Sequence, residues 1–199
     1  MSFVEKRKSD VFYRKAKAEK YRARSAYKLI EIQEKFNLIK KGDVVVDCGA
    51  APCSWSQVAL EFVGINGTVV GIDILPVASI ADNFFFVQAD LTESDTADKV
   101  AAIAEKADVV ISDAAPEFSG IKALDMGAAA DLNLTVLDLA KQILKTGGSF
   151  ACKSFQSGNF QNFVKIVKKY FKKVHTFKPE ASQRNSAEIY VVALEKKSD

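Results

Sequence analysis

Little in this sequence could brace a fold covalently or through a metal. Its 199 residues include three cysteines, one histidine, one tryptophan and four prolines. Three cysteines cannot form a fully paired disulfide framework, and Cys48, Cys53 and Cys152 show no zinc-ligand spacing with His175. Neither a disulfide scaffold nor a structural metal is expected, and His175, close to Lys172 and Lys173, reads as a surface residue. No apolar run approaches the ~20 residues that a membrane helix requires. The first ten residues, MSFVEKRKSD, are charged with no apolar stretch behind them, unlike a secretory signal. These absences predict a cytoplasmic chain with no membrane association. A hydrophobic share of 48% with ten glycines excludes a collagenous or largely disordered polymer, and the length suits one domain over residues 1–199.

Charge is present but segregated. The formal net charge is only +3, yet the segment from Asp43 to Leu139 holds three basic residues against sixteen acidic ones. Met1 to Lys28 carries ten basic residues and three acidic ones, and Lys153 to Pro179 has seven lysines and no acid. Such runs can be solvated helix faces. Two basic ends around an acidic middle fit better with a phosphate backbone as partner, so RNA or another anionic polymer is expected, held by an N-terminal arm at about 1–24 and by Lys165 to Lys178.

There is no internal repeat and no linker-like stretch. After the arm, Ser25 is placed to cap a helix through AYKLIEIQEKFN, where Ala26, Leu29, Ile30 and Phe36 recur at helical spacing. Strand-length apolar runs follow at Asp43 to Asp47, Thr68 to Asp73, Phe84 to Val87, Asp108 to Asp113 and Ser149 to Phe155. Helical stretches near Ser54 to Val63, Asp95 to Lys106, Asp125 to Lys145 and Asn159 to Phe171 interleave with them. Strands apolar on both faces and joined through helices imply a parallel sheet covered on both sides, a doubly wound α/β fold. VHTFK and EIYVVALE, joined without a helix, predict an antiparallel pair at the sheet edge, giving seven strands.

Ligands of such a sheet bind beyond the carboxyl ends of its strands. Here Asp47 ends the first strand and Asp73 the second, Asp90 follows the third and Asp113 the fourth. A single Asp there can merely cap a helix; four suggest a polar cofactor. The first turn, CGAAPCSWSQ, lacks the glycine pattern through which a backbone approaches a dinucleotide pyrophosphate. S-adenosyl-L-methionine carries a sulfonium cation, a ribose diol and an adenine amino group, all suited to carboxylates and carbonyl oxygens.

DCGAAPCSWSQ resembles the cofactor loop of the RrmJ/FtsJ family of ribose 2′-O-methyltransferases. SAYKL around Lys28, VVISDAAP ending at Asp113, ACKSF with Lys153, and SAEIY with Glu188 are similar, in order, to that family's Lys, Asp, Lys, Glu tetrad. The resemblance runs from about Arg22 to Glu195. It implies a Rossmann-like S-adenosylmethionine-dependent fold and catalytic roles for Lys28, Asp113, Lys153 and Glu188. It further implies cofactor contacts from Asp47, Gly49, Cys53 and Trp55, with Asp73 at the ribose, Asp90 at the adenine and Asp113 at the methionine end. The chain departs from the family at Cys53 and Ser54, where two glycines are usual. Glycine there permits positive φ, so this chain either keeps an ordinary backbone at Cys53 or alters its grip on the cofactor.

The resemblance implies methylation of a uridine 2′-hydroxyl in the A loop of large-subunit ribosomal RNA. A tRNA ribose methyltransferase and a non-catalytic RNA-binding relative are the alternatives, the second of which should have lost tetrad residues. Lys153 can serve as a base or as an ammonium that orients the hydroxyl. A lysine inside an apolar strand is otherwise costly to place.

Overall fold

The computed structural model describes residues 11–183 and 185–198. Arg7 and Lys8 of the expected arm therefore lie outside the described residues. The rest of the arm forms helix α1 (Val11–Ala18) and a turn leading into α2 (Ala26–Phe36). Then come β1 (Val44–Cys48), α3 (Ser54–Val63), β2 (Thr68–Asp73), β3 (Phe84–Gln88), α4 (Thr96–Ala101) and β4 (Ala107–Ser112). The chain ends with α5 (Lys122–Ile143), β5 (Leu144–Phe155), α6 (Phe160–Tyr170), β6 (Phe171–Phe177) and β7 (Glu188–Lys196).

One seven-stranded sheet has the order β3-β2-β1-β4-β5-β7-β6. The first five strands are parallel, and β7 runs antiparallel between β5 and the outermost β6. The chain starts in the middle of the sheet and reverses direction of travel between β1 and β4, which opens a crevice at their carboxyl ends.

The apolar strands sit in the middle because they have two faces to bury. Val45 packs with Leu29, Ile32 and Val58 from α2 and α3, whereas its neighbour Val46 packs with Val136 and Phe163 from α5 and α6. Both valines are fully buried, each contributing roughly 1.5–3 kcal/mol by removal from water. No helix among the described residues is long and apolar enough to cross a membrane.

Several boundaries differ from the sequence reading. Ser25 does not cap α2 through its side chain; its backbone is already helical, and its Oγ shares a hydrogen bond of 2.7 Å with Ser54 Oγ. The helix expected over Asp95 to Lys106 ends at Ala101, with only Thr96 and Val100 buried to hold it. Helix α5 ends at Ile143 rather than Lys145 and gives way directly to β5, which begins at Leu144 rather than Ser149. The pairing of β4 with β5 shifts register there, between Ala107 and Val109.

Candidate functional site

Side chains from widely separated parts of the sequence meet at the carboxyl edge. Lys28 comes from the first turn of α2, Asp113 follows β4, Lys153 is near the end of β5, and Glu188 opens β7, which starts at this edge because it runs antiparallel. Lys28 Nζ donates to Glu188 Oε2 at 2.8 Å and lies 3.6 Å from Asp113 Oδ1. Lys153 Nζ lies 3.3 Å from the same Asp113 oxygen and also donates to the Asp113 carbonyl. The tetrad is thus a compact set of two ammonium and two carboxylate groups, largely buried.

A fifth side chain that the sequence reading missed completes the cluster. Tyr190 is fully buried, and its hydroxyl donates to Asp113 Oδ1 at 2.6 Å. Burial, and then the charges of Asp113 and Glu188, push that hydroxyl far above its usual pKa, so it stays protonated as a donor. The signal was available in alternation: Tyr190 is two residues beyond Glu188 and pairs across the strands with Lys153, so all three share one sheet face. At Glu188, burial acts to raise the carboxyl pKa, but the charge and hydrogen bond of Lys28, followed by Ser182 and Lys153, outweigh it and hold it below the usual range.

Beside the tetrad lies a cleft of about 490 Å³, lined by Gly49, Asp73, Asp90 and Asp113 with the Ala114 to Glu117 loop. Asp73 accepts from the Ala51 and Leu75 backbone N–H groups at 2.8 and 2.9 Å, which fixes the carboxylate across the cleft from Asp113. Asp90 accepts from Thr92 N–H and hydroxyl, and these bonds lower its pKa. Gly49 has φ +77, and a Cβ there would lie 2.5 Å from Ala114 Cβ, so glycine is required where β1 and β4 release their chains.

Three of the expected cofactor residues are not on the cleft surface. Asp47 is fully buried, with Oδ2 held by Ser56 Oγ at 2.6 Å and Oδ1 without a hydrogen-bond partner. Burial pushes its carboxyl up to about 7, Ser56 opposing and the charges of Asp113 and Asp73 adding to the shift. A side-chain contact from Asp47 to a ligand is therefore blocked by its own packing; it braces the turn from below. Trp55 is 2% exposed, stacks on Tyr190 at 5.6 Å and donates from Nε1 to the Ser25 carbonyl at 2.9 Å. It joins the turn after β1 to the tetrad. The Cys53 side chain is buried, leaving only its backbone to offer.

The departure at Cys53 resolves in one direction. Its backbone keeps the left-handed conformation, φ 76 and ψ 23, at the start of α3, where a side chain costs roughly 1–2 kcal/mol relative to glycine. The ordinary backbone expected as one alternative is therefore not what Cys53 adopts, and the thiol packs with Trp55 and Val58 in one core cluster.

The basic segments separate in space. The turn after α1 docks on the turn between β1 and α3: Arg22 donates from its guanidinium to the Pro52 carbonyl at 3.3 Å and from its backbone N–H to Gln57 at 2.9 Å. Lys168, Lys169, Lys172 and Lys173 lie elsewhere, at the end of α6 and the start of β6, the sheet edge opposite the cleft. Glu195 ion-pairs with Lys172 and Lys173. The Lys165 to Lys178 run is consequently not one face beside the site, because α6 carries its lysines away from the cleft as it descends the sheet.

Residues 21–196 match the family described as FtsJ-like methyltransferase. The chain is 43% identical over 196 residues to ribosomal RNA large subunit methyltransferase E of Methanocaldococcus jannaschii, covering 96% of this chain and 80% of that one. It is 45% identical over 193 residues to the protein of the same name from Marinobacter nauticus, covering 96% and 93%. A crystal structure from Plasmodium falciparum, provisionally assigned as a ribosomal RNA methyltransferase, superposes with a TM-score of 0.80 at 31% identity, covering 90% of this chain and all of the other. Fibrillarin of Aeropyrum pernix, solved with S-adenosyl-L-methionine bound, shares the fold at a TM-score of 0.58 and 14% identity, covering 85% and 76%.

Proposed function

Because the chain belongs to the FtsJ-like methyltransferase family, we propose that it methylates a ribose 2′-hydroxyl in large-subunit ribosomal RNA, with S-adenosyl-L-methionine as donor and an A-loop uridine as target. The observation that carries the reading is the convergence of Lys28, Asp113, Lys153 and Glu188 beside an acidic cleft. A non-catalytic relative would have no reason to keep two ammonium groups buried against two carboxylates, an arrangement that costs desolvation wherever it is not used.

The cleft fits the donor. Asp73, Asp90 and Asp113 present carboxylates to hydroxyl, amino and cationic groups, and the turn at Gly49 offers close backbone approach without a phosphate cradle. Asp73 would hold the ribose, Asp90 the adenine edge and Asp113 the methionine end. Gly49 and the Cys53 backbone would border the ligand, with Asp47 and Trp55 supporting from beneath. When bound, S-adenosyl-L-methionine supplies an electrophilic methyl carbon.

The protein's own part is to present the attacking oxygen. Lys153 already donates to the Asp113 carbonyl and faces its carboxylate, contacts that suit the charged ammonium. With a further N–H it would orient the 2′-hydroxyl and stabilise negative charge on that oxygen during attack. Lys28 neutralises Glu188 and shares Asp113, fixing both acids; Tyr190 locks the Asp113 oxygen from the other side. As the bond from the 2′-oxygen to the methyl carbon formed, the methyl–sulfonium bond would break, leaving a neutral thioether, and the hydroxyl proton would pass to solvent.

Large subunits from cells lacking this gene, incubated with the purified protein and methyl-labelled S-adenosyl-L-methionine, test the reading. The label should appear as a 2′-O-methylated nucleoside at one position of the large-subunit RNA. Asp113→Ala should lose cofactor binding and transfer together. Label on a base, on tRNA alone, or nowhere would sink the proposal.

A further inference from the structure

Outside the tetrad and the acidic cleft, the loop between β4 and α5 displays Phe118 at 51% exposure, followed by Ile121 at 58% and Leu124 at 63%. Single exposed apolar residues are ordinary; three large ones within seven residues, continuous with a ligand cleft, mark a binding surface. The loop is also held in place. Buried Asp125 accepts from Ser119 N–H and Oγ at 2.7 Å each and from Gly120 N–H at 3.1 Å, and Gly120 takes φ +86, which a side chain would resist.

The position of Phe118 relative to the chemistry is what gives it meaning. Its ring meets Phe155 edge to face, with centroids 5.7 Å apart and planes at 85°. Phe155 follows Lys153 by two residues in β5 and pairs with Glu188, so it stands on the same sheet face as the tetrad. On its other flank, residues 114–117 line the cofactor cleft. Phe118 therefore follows directly on the loop that lines the cleft and rests against Phe155, two residues beyond Lys153 in β5.

We propose that Phe118 is the stacking platform for the base of the nucleotide being methylated. The inference rests on the ribose 2′-hydroxyl reading above and deepens it. A ribose whose 2′-oxygen faces Lys153 carries its base on the adjacent carbon, so that base must settle within one nucleoside of Lys153. It has a flat, weakly polar face that an aromatic ring covers whatever the base identity, whereas carboxylates and ammonium groups do not. A nucleotide stacked and paired in a duplex has both base faces occupied. The platform consequently selects an unpaired or extruded nucleotide, the form in which RNA is most readily read by aromatic side chains.

The test compares Phe118→Ala, Phe118→Leu and Phe118→Trp in methyl transfer to large subunits, and to protein-free ribosomal RNA, from cells lacking the gene. Phe118→Ala should raise the KM for RNA about tenfold to a hundredfold on both substrates, with melting temperature and S-adenosyl-L-methionine affinity unchanged. Phe118→Trp should keep transfer near wild type, and Phe118→Leu should resemble Ala because bulk without a π face does not stack. Full activity in Phe118→Leu would overturn the proposal, as would an unchanged KM in Phe118→Ala. A parallel loss of cofactor affinity would instead assign the ring to the donor, and a defect confined to assembled subunits would assign it to a ribosomal protein; either result also overturns it. Absence of transfer by the wild-type protein on either substrate would count against the parent reading, which separates the two failures.

Discussion

Lys153 sits between Cys152 and Ser154 in a strand whose flanking positions are buried, and its side chain is 9% exposed. A cation in that place needs partners, and Asp113 supplies two oxygens. Lys153→Ala should cut single-turnover methyl transfer by at least about a hundredfold while sparing S-adenosyl-L-methionine affinity, because the contact proposed for it with the hydroxyl would matter most in the transition state. An orienting ammonium predicts that Lys153→Arg retains measurable turnover above the Ala variant, since guanidinium can donate but cannot act as a base near neutrality. An Arg variant as inactive as Ala, with a wild-type rate rising through a single titration that the variants lose, would assign Lys153 the role of base instead. Asp47 makes a different statement about pH. Its folded carboxyl is raised to about 7 by burial, against about 3.9 in an unfolded chain. Between those values the folded state binds the extra proton, so stability falls as pH rises from about 4 to about 7 and then levels off. The full span is on the order of 4 kcal/mol. Asp47→Asn removes the titration, so its unfolding free energy relative to wild type should increase between pH 4 and pH 8 in urea melts. Parallel pH profiles would show that Asp47 is not the group responsible.

At the scale of elements, most of the sheet is legible because β1, β2 and β4 bury both faces, and continuous apolar runs bounded by acids leave little else for them to be. The tetrad was legible only through a resemblance; no spacing in the chain predicts that residue 28 of one helix meets residue 188 of the last strand, 160 positions away. What escaped sequence reading has physical causes. Tyr190 hides in an apolar strand, where its hydroxyl gives no pattern until the cross-strand partner Lys153 is known. Asp47 reads like the other strand-ending acids, but it stands one residue too early in β1 to reach the cleft and is buried by Ser56 and α3. β5 begins at Leu144 and not at Ser149, because Leu144 already pairs with Ala107 ahead of the register shift that resumes at Val109 and Ser149. Cys53 is the converse case. A non-glycine residue holds φ 76 because its thiol is buried among Trp55 and Val58, so tertiary packing offsets a local preference of roughly 1–2 kcal/mol.

Across the whole molecule, the charge asymmetry acquires a direction that composition alone could not give. The end of the N-terminal segment docks beside the turn between β1 and α3 through Arg22, and Arg24 donates to the Ala181 carbonyl at 2.8 Å, in the loop that leads to Glu188. α1 itself packs through Ala16 in one cluster with Tyr27, the residue before Lys28, with Lys15 over the Tyr27 ring and paired with Glu19, whereas Lys168, Lys169, Lys172 and Lys173 gather at the opposite edge, two of them paired with Glu195. An RNA whose ribose enters at Lys153 can reach the first group far more readily than the second. Phosphate contacts release counterions, so each one lost should reduce the slope of log affinity against log salt by about 0.7 for single strands and about 0.9 for duplex. Changing Arg14, Lys15 and Lys17 to Ala should weaken RNA binding, flatten that slope and leave S-adenosyl-L-methionine affinity unchanged. Changing Lys168, Lys169, Lys172 and Lys173 to Ala removes more charge yet should leave both slope and affinity near wild type in the same filter-binding titration. If the larger charge removal at the far edge produced the larger flattening, net charge and not placement would govern the encounter, and the RNA path from α1 to Lys153 would have to be abandoned.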